Sequence, residues 1–263
     1  MKVYDVFLFD NELDVLECRL VELGDQVDVF VIVEGTLSHQ GAKREPTFPG
    51  QQPRFERWLP KMRCLVAELP EQPGSAPPWS RFRTGDDWER LRLQQDAGLD
   101  GLSDAEDGDI VIFSDVDEIP RRELVRLLDP GDDEILILEQ RHHVYGFNWL
   151  YPEPWNGTGV ARASTVRDKS LHRIRVDRPG ARVIHDAGWH LSYFGGSTSI
   201  KRKVSTFTHP ERTAFADAAE FCVMHGIAFD GVKLLPVRFD HNHPEQYPHY
   251  IRGGDWRPAW EPI

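Results

Sequence analysis

Apolar residues in this chain fall into short, nearly continuous runs separated by stretches of helical spacing. Val3 to Phe9 and Val27 to Val33 are runs of the first kind, rich in β-branched and aromatic side chains, and predict buried strands. Between them Leu13, Leu16, Leu20 and Leu23 recur at three- and four-residue steps before Gly24, which predicts a helix from Glu12 to Leu23 with a glycine C-cap. Strand, helix, strand in that order predicts a right-handed crossover and parallel pairing. Thr47 to Pro78 is rich in Pro and Gln and reads as a surface excursion, with a third strand from Cys64 to Leu69.

Trp88, Leu91, Gln95 and Leu99 share one side of a helix predicted from Trp79 to Leu102. Ile110 to Phe113, bounded by Gly108 and Pro120, predicts a further buried strand. A short helix from Arg121 to Leu128, its first turn beginning at Pro120, and a strand from Ile135 to Glu139 follow. Beyond about Trp155 the pattern breaks into short strands and Gly-rich turns, with one helix near Ala214 to His225. The alternation predicts an α/β fold, a mostly parallel central sheet flanked by helices.

At 263 residues the chain suits one compact domain with inserted loops. Its net charge of −12 leaves no basic footprint for nucleic acid or an anionic membrane. A phosphate-bearing ligand therefore needs local basic residues or a metal. The N-terminus enters a strand pattern without a signal-peptide core, and no window reaches the roughly 20 apolar residues of a membrane span. These features predict a soluble, cytoplasmic protein. Cys18, Cys64 and Cys222 are odd in number and widely spaced, which predicts neither a disulfide framework nor a zinc site.

The chemistry concentrates where the Ile110 strand ends in Asp115, Asp117 and Glu118. Ligands of α/β sheets bind at the carboxyl ends of strands. Residues two apart on a strand share a face, so Asp115 and Asp117 can address one site, where a divalent cation would relieve their repulsion. A second constellation, Val183 to Gly196, sets His190 among Trp189, Tyr193 and the close-approach glycines Gly188, Gly195 and Gly196. His142 and His143 face opposite ways on a strand, which argues against a shared metal, and His241-Asn242-His243 reads as a loop.

Further residues carry a resemblance. They run from Asn11-Glu12-Leu13-Asp14 and Arg19 through Val27 to Val31 and Glu34, then Asp86-Asp87-Trp88, Arg90 and Gln95-Asp96. Asp115 to Pro120, Arg141, Tyr145-Gly146-Phe147, Trp149, His185, Gly188-Trp189-His190, Ser192, Lys203 and Phe229-Asp230-Gly231 complete the series. In order and spacing the chain resembles glycosyltransferase family 17, typified by the animal bisecting N-acetylglucosaminyltransferases.

The resemblance implies a GT-A-like nucleotide-diphosphosugar transferase fold, with residues 1–140 as the nucleotide-binding half and 141–263 as the acceptor side. It implies inverting transfer of a sugar, N-acetylglucosamine by analogy, from a UDP-sugar to a glycan or glycolipid hydroxyl. Asp115 and Asp117 become a DxD motif holding Mn²⁺ or Mg²⁺, with His190 completing the shell. Asp115, Glu34, Arg90 and Lys203 become donor contacts, Glu34 to uracil or ribose and the two cations to the diphosphate. Glu118 and His190 become candidates for the general base. A cytoplasmic enzyme would meet a cell-surface polysaccharide, a glycolipid or a small precursor rather than a mature N-glycan. Two rival classes are a non-catalytic carbohydrate-binding protein, using aromatics of 145–151 and 189–193, and a phosphatase with an Asp nucleophile. In the second, Ile119 and Pro120 break the expected motif.

Overall fold

The computed structural model describes residues 1–73, 85–176, 180–206, 217–237 and 244–252. The chain opens with β1 (Val3–Leu8), α1 (Leu13–Leu23), β2 (Val29–Gly35), β3 (Met62–Ala67), α2 (Asp86–Ala97) and β4 (Ile110–Asp115). There follow β5 (Glu118–Pro120), α3 (Arg122–Val125), β6 (Leu136–Val144), β7 (Trp149–Leu150), β8 (Trp155–Arg162), α4 (Ala163–Lys169) and α5 (Leu171–Val176). β9 (Arg182–Ile184), β10 (Gly188–Ser192), α6 (Gly196–Thr206), α7 (Ala219–His225), β11 (Leu235–Pro236) and α8 (His249–Arg252) complete it.

Strands β3, β2, β1 and β4 lie side by side in that order, all parallel. Antiparallel pairing enters only beyond β4, where β8 lies between β4 and β6. One sheet therefore runs through both halves of the sequence. Alternate residues of β1 serve two cores. Val3 and Phe7 pack with Leu16 and Leu20 of α1, while Tyr4 and Val6 pack with Leu91 of α2 and Leu171 of α5. Burial on both faces is why the strand reads as a nearly continuous apolar run, interrupted only by Asp5.

Four expectations need correction. Thr47 to Pro78 is not a mere surface excursion over its described part. Phe48 and Phe55 are fully buried, stacked with ring centroids 5.6 Å apart. Their aromatic surface outweighs the irregular backbone around them. Pro120 ends a strand instead of opening a helix, because Glu118 to Pro120 pair antiparallel with β10. The strand predicted to stop at Glu139 continues to Val144, its far end paired with β10. The second half carries α4, α5, α6 and α8 besides the predicted helix near His225; α4 and α5, of seven and six residues, are stabilised by packing more than by periodicity. Trp79 and His241 to His243 lie outside the described residues.

All three cysteines are free, and no described helix is long and apolar enough to cross a membrane.

One charged pair interrupts the core. Arg19 of α1 and Asp5 of β1 are wholly buried, with Nη2 2.6 Å from Oδ1 and Nε 2.8 Å from Oδ2. The same guanidinium donates to the carbonyls of Asp115 at 3.1 Å and Glu118 at 2.8 Å, and to Ser114 Oγ at 2.7 Å. It tethers the end of β4 from below. Arg19→Met should lower the unfolding free energy by about 3–5 kcal/mol, since Asp5 is left buried without its partner. Denaturant titration should also find that adding Asp5→Leu recovers part of the loss; a doubly substituted chain no better than the single variant would contradict this.

Burial also holds the His143 imidazole down at about 3. The unfolded chain takes up that proton near pH 6.5. This contribution is therefore intact above pH 6.5 and is lost as the pH falls toward 3, by up to about 1.4 kcal/mol per pH unit. His143→Phe should flatten the slope measured by urea unfolding between pH 6.5 and pH 5, and an unchanged slope would refute the assignment.

Candidate active site

The C-terminal ends of β1 and β4, the segment just after β2, the largely buried inner side of α2, and residues of β6, β8, β10, α5 and α6 line a cavity of about 820 Å³. Its position follows from the topology, since side chains at the ends of parallel strands converge above the sheet.

Asp115 and Asp117 both line it, as predicted, but they are held apart by different cations. Arg175 of α5 reaches Asp115 Oδ2 at 2.6 Å and grips both oxygens of Glu118, at 2.7 and 2.8 Å. Lys203 of α6 donates to Asp117 Oδ2 at 2.6 Å and stands 3.5 Å from Glu12. Burial and the neighbouring carboxylates Glu118 and Asp117 push the Asp115 carboxyl up to about 6, although Arg175 pulls the other way. Burial would raise Asp117 too, yet the Lys203 ammonium and His190 hold it far below the usual carboxylate range. Four carboxylates thus share two fixed cations, an excess of negative charge, and three of the four, Glu12, Asp115 and Asp117, line the cavity.

His190 is brought to this cluster, its Nε2 3.6 Å from Asp117 Oδ1. On adjacent strands His142 lies beside His190 and Glu118 lies on its other side. The register stacks rings in a row. Tyr151 and His142 are 4.8 Å apart, His142 and His190 4.6 Å, and His190 and Trp155 4.5 Å. All four rings border the cavity. The sandwich seals His190 Nδ1, which has no hydrogen-bond partner among the described residues. His190 is therefore suited to orienting or ligation at Nε2, and its second nitrogen is closed to a substrate proton.

Three assignments are corrected by placement. Glu118 is wholly buried and does not reach the cavity: Arg175, Trp155 Nε1 at 2.6 Å and the Asp115 N–H at 3.2 Å occupy it. A base needs an open oxygen, so Glu118 instead holds Arg175 in place. Gly157 permits this packing, because a Cβ there would collide with both Trp155 and Glu118. Glu34 is turned away from the cavity and accepts the Thr47 and Phe48 N–H groups at 2.7 and 3.0 Å, tying down the aromatic segment. Arg90 is buried and donates to the carbonyls of Pro70, His39 and Glu71, joining loops instead of binding phosphate.

Arg175 carries no sequence signal, and His142 enters the sequence reading only as a residue unsuited to sharing a metal with His143; each acquires its place on the cavity from helix packing or strand register. Also unforeseen is the β2-side wall, where Gln94 donates to the Val33 carbonyl at 2.9 Å and meets His39 Nε2 at 2.8 Å. Burial keeps that imidazole at about 4 and hence neutral near pH 7. Trp189, predicted as a ligand face, is fully buried and donates to the Gln246 carbonyl at 2.7 Å.

Among the described residues no three His, Cys, Asp or Glu side chains are arranged to hold a metal ion. The donor set is nevertheless hard and anionic, and the Lys203 ammonium marks a place where positive charge is favoured. These residues fit a cation whose remaining ligands arrive with a phosphate-bearing substrate.

Comparison with known proteins gives the family. The model of glycosyltransferase family 17 matches residues 1–243. The human β-1,4-mannosyl-glycoprotein 4-β-N-acetylglucosaminyltransferase is 31% identical over 220 residues, 73% of this chain and 40% of that protein. The rat enzyme of the same name matches equally, at 31% over 220 residues. The chain thus spans about 40% of the length of these relatives. Among solved structures, the 2-C-methyl-D-erythritol 4-phosphate cytidylyltransferase of Francisella tularensis aligns at a TM-score of 0.35 and 10% identity, covering 70% of this chain and 90% of that one. An active-site mutant of LgtC aligns at 0.37 and 13%, covering 66% of this chain and 61% of that one. With a family match running from the first strand past the Asp115–Asp117 cluster to the last cavity-lining residues, this chain belongs to glycosyltransferase family 17.

Proposed function

We propose that the chain moves N-acetylglucosamine from UDP-N-acetylglucosamine to a carbohydrate hydroxyl, with inversion at the anomeric carbon and a divalent cation bound together with the nucleotide. The observation that carries this reading is the excess of carboxylate over fixed cation at the end of β4, open to a cavity large enough for a nucleotide sugar. N-acetylglucosamine rests on the names of the matched relatives.

In this reading the nucleoside lies against the β2-side wall, between Leu37 and Leu91, with Gln94 and neutral His39 as its polar contacts. Asp115 and Asp117, with His190 beside them, would hold Mn²⁺ or Mg²⁺, which would offset the charge growing on the departing diphosphate. Lys203 contributes in the same sense: its ammonium, now on Asp117, is within reach of a leaving phosphate oxygen placed there. Arg175 keeps Asp115 at the cavity edge, and Glu118 keeps Arg175. The ring row leaves an apolar wall for a sugar ring to stack on.

Isothermal titration of UDP should give binding that needs Mn²⁺. Asp117→Ala should weaken it by about two orders of magnitude, roughly 2.7 kcal/mol, with the thermal transition retained because Lys203 keeps Glu12. No binding by the native chain in Mn²⁺ would overturn the reading, and unfolding of the variant would make the cluster structural.

A further inference from the structure

Both base candidates from the sequence are spoken for, so the acceptor proton needs another destination. The carboxylates lining the cavity are Asp10, Glu12, Glu89, Asp115, Asp117, Glu153 and Asp230. Arg44 and Arg202 flank Asp10, which also takes the Thr206 hydroxyl. Glu12 has Lys203 and the Asp10 N–H. Arg92 grips Glu89 through both oxygens. Asp115 shares Arg175 with Glu118, and Asp117 shares Lys203 with Glu12. Asp230 accepts the Tyr151 hydroxyl at 2.8 Å and the Val232 N–H at 3.1 Å. Glu153 is exposed, and among the described residues no hydrogen-bond donor or cation engages its carboxylate.

We propose that Glu153 is the general base of the transfer, an inference that rests on the function proposed above. Its place supports the role as much as its open oxygens do. Glu153 sits between β7 and β8, two residues from Tyr151 and two from Trp155, which end the row of stacked rings. Pro152 and Pro154 flank it, and their fixed φ angles limit how far the carboxylate can wander. Asp117 and Lys203 lie with His190, and the His142 ring stands between His190 and Tyr151. Inversion needs the attacking oxygen on the face of the sugar opposite the leaving group. An acceptor ring stacked at the Tyr151 end would present its hydroxyl beside Glu153. The carboxylate then takes the hydroxyl proton as the acceptor oxygen bonds to the anomeric carbon. The bond from that carbon to the diphosphate oxygen breaks and its electron pair leaves on UDP. The proton held by Glu153 afterwards passes to water.

The test uses the whole chain with Mn²⁺ and UDP-N-acetylglucosamine, reading UDP release with water and with methyl β-D-mannopyranoside as acceptors. Glu153→Gln should bind UDP as the native chain does but release it about 10²–10⁴-fold more slowly. In Glu153→Ala, added formate should restore part of the lost rate, which a purely structural role would not allow. A Glu153→Gln rate within about threefold of native, against the range expected for a base, overturns the proposal and leaves the proposed function standing. A native chain that binds UDP yet releases none from the sugar nucleotide with either acceptor counts against the proposed transfer, and this base falls with it. Failure of the native chain to bind UDP in Mn²⁺ likewise removes the proposed function and this base with it.

Discussion

Negative charge crowded at the end of one buried strand is the constraint around which the rest is arranged. Asp115, Asp117 and Glu118 follow four apolar residues of β4 and cannot spread apart. Repulsion in a low-dielectric interior would open the site unless countercharge were brought in. The fold brings it from far along the chain: Arg175 arrives on α5 and Lys203 on α6, while Arg19 holds the backbone carbonyls from below. Each cation is a point of attachment between the first half of the sheet and elements from elsewhere.

The compensation is incomplete in its chemical effect. Glu118 is satisfied on every side and serves as a fixed block under Trp155 and Arg175. Asp115 keeps an open flank on the cavity, and its carboxyl is raised by burial first and by Glu118 and Asp117 second, against the pull of Arg175. In the proposed function a cation carried by the nucleotide would add positive charge there, which asks no preformed three-ligand cage of the described residues. Alongside, the His142–His190 stack shows how strand register converts two ordinary residues into one wall: β6 and β10 are parallel neighbours, so the rings meet face to face.

Much of the fold was legible in the chain. The parallel unit of β1, α1 and β2, and the placing of Asp115 and Asp117 at a strand end, follow from local pattern, because burial on both faces favours nearly continuous apolar runs and strand ends carry ligand groups. Elements lacking a strong period were hidden. The helices α4 and α5 are seven and six residues long and hold their shape by packing on β8 and α2. Phe48 and Phe55 lie in a Pro- and Gln-rich stretch whose composition concealed two core side chains.

Side-chain allegiance was beyond the sequence. Glu34, Arg90 and Glu118 look as suitable for a ligand as Asp117 or Lys203, since residue type carries no information about direction. Only the tertiary structure turns Glu34 to two backbone N–H groups, Arg90 to three carbonyls and Glu118 to Arg175, while leaving Asp115, Asp117, His190 and Lys203 on the cavity. The sequence by itself determined the α/β alternation and the position of the acidic cluster, because hydrophobic periodicity is a local property of the chain. The tertiary structure decided which charges are consumed in holding the fold and which remain for chemistry, because hydrogen bonds and ion pairs between residues far apart in the sequence exist only once the chain has closed on itself.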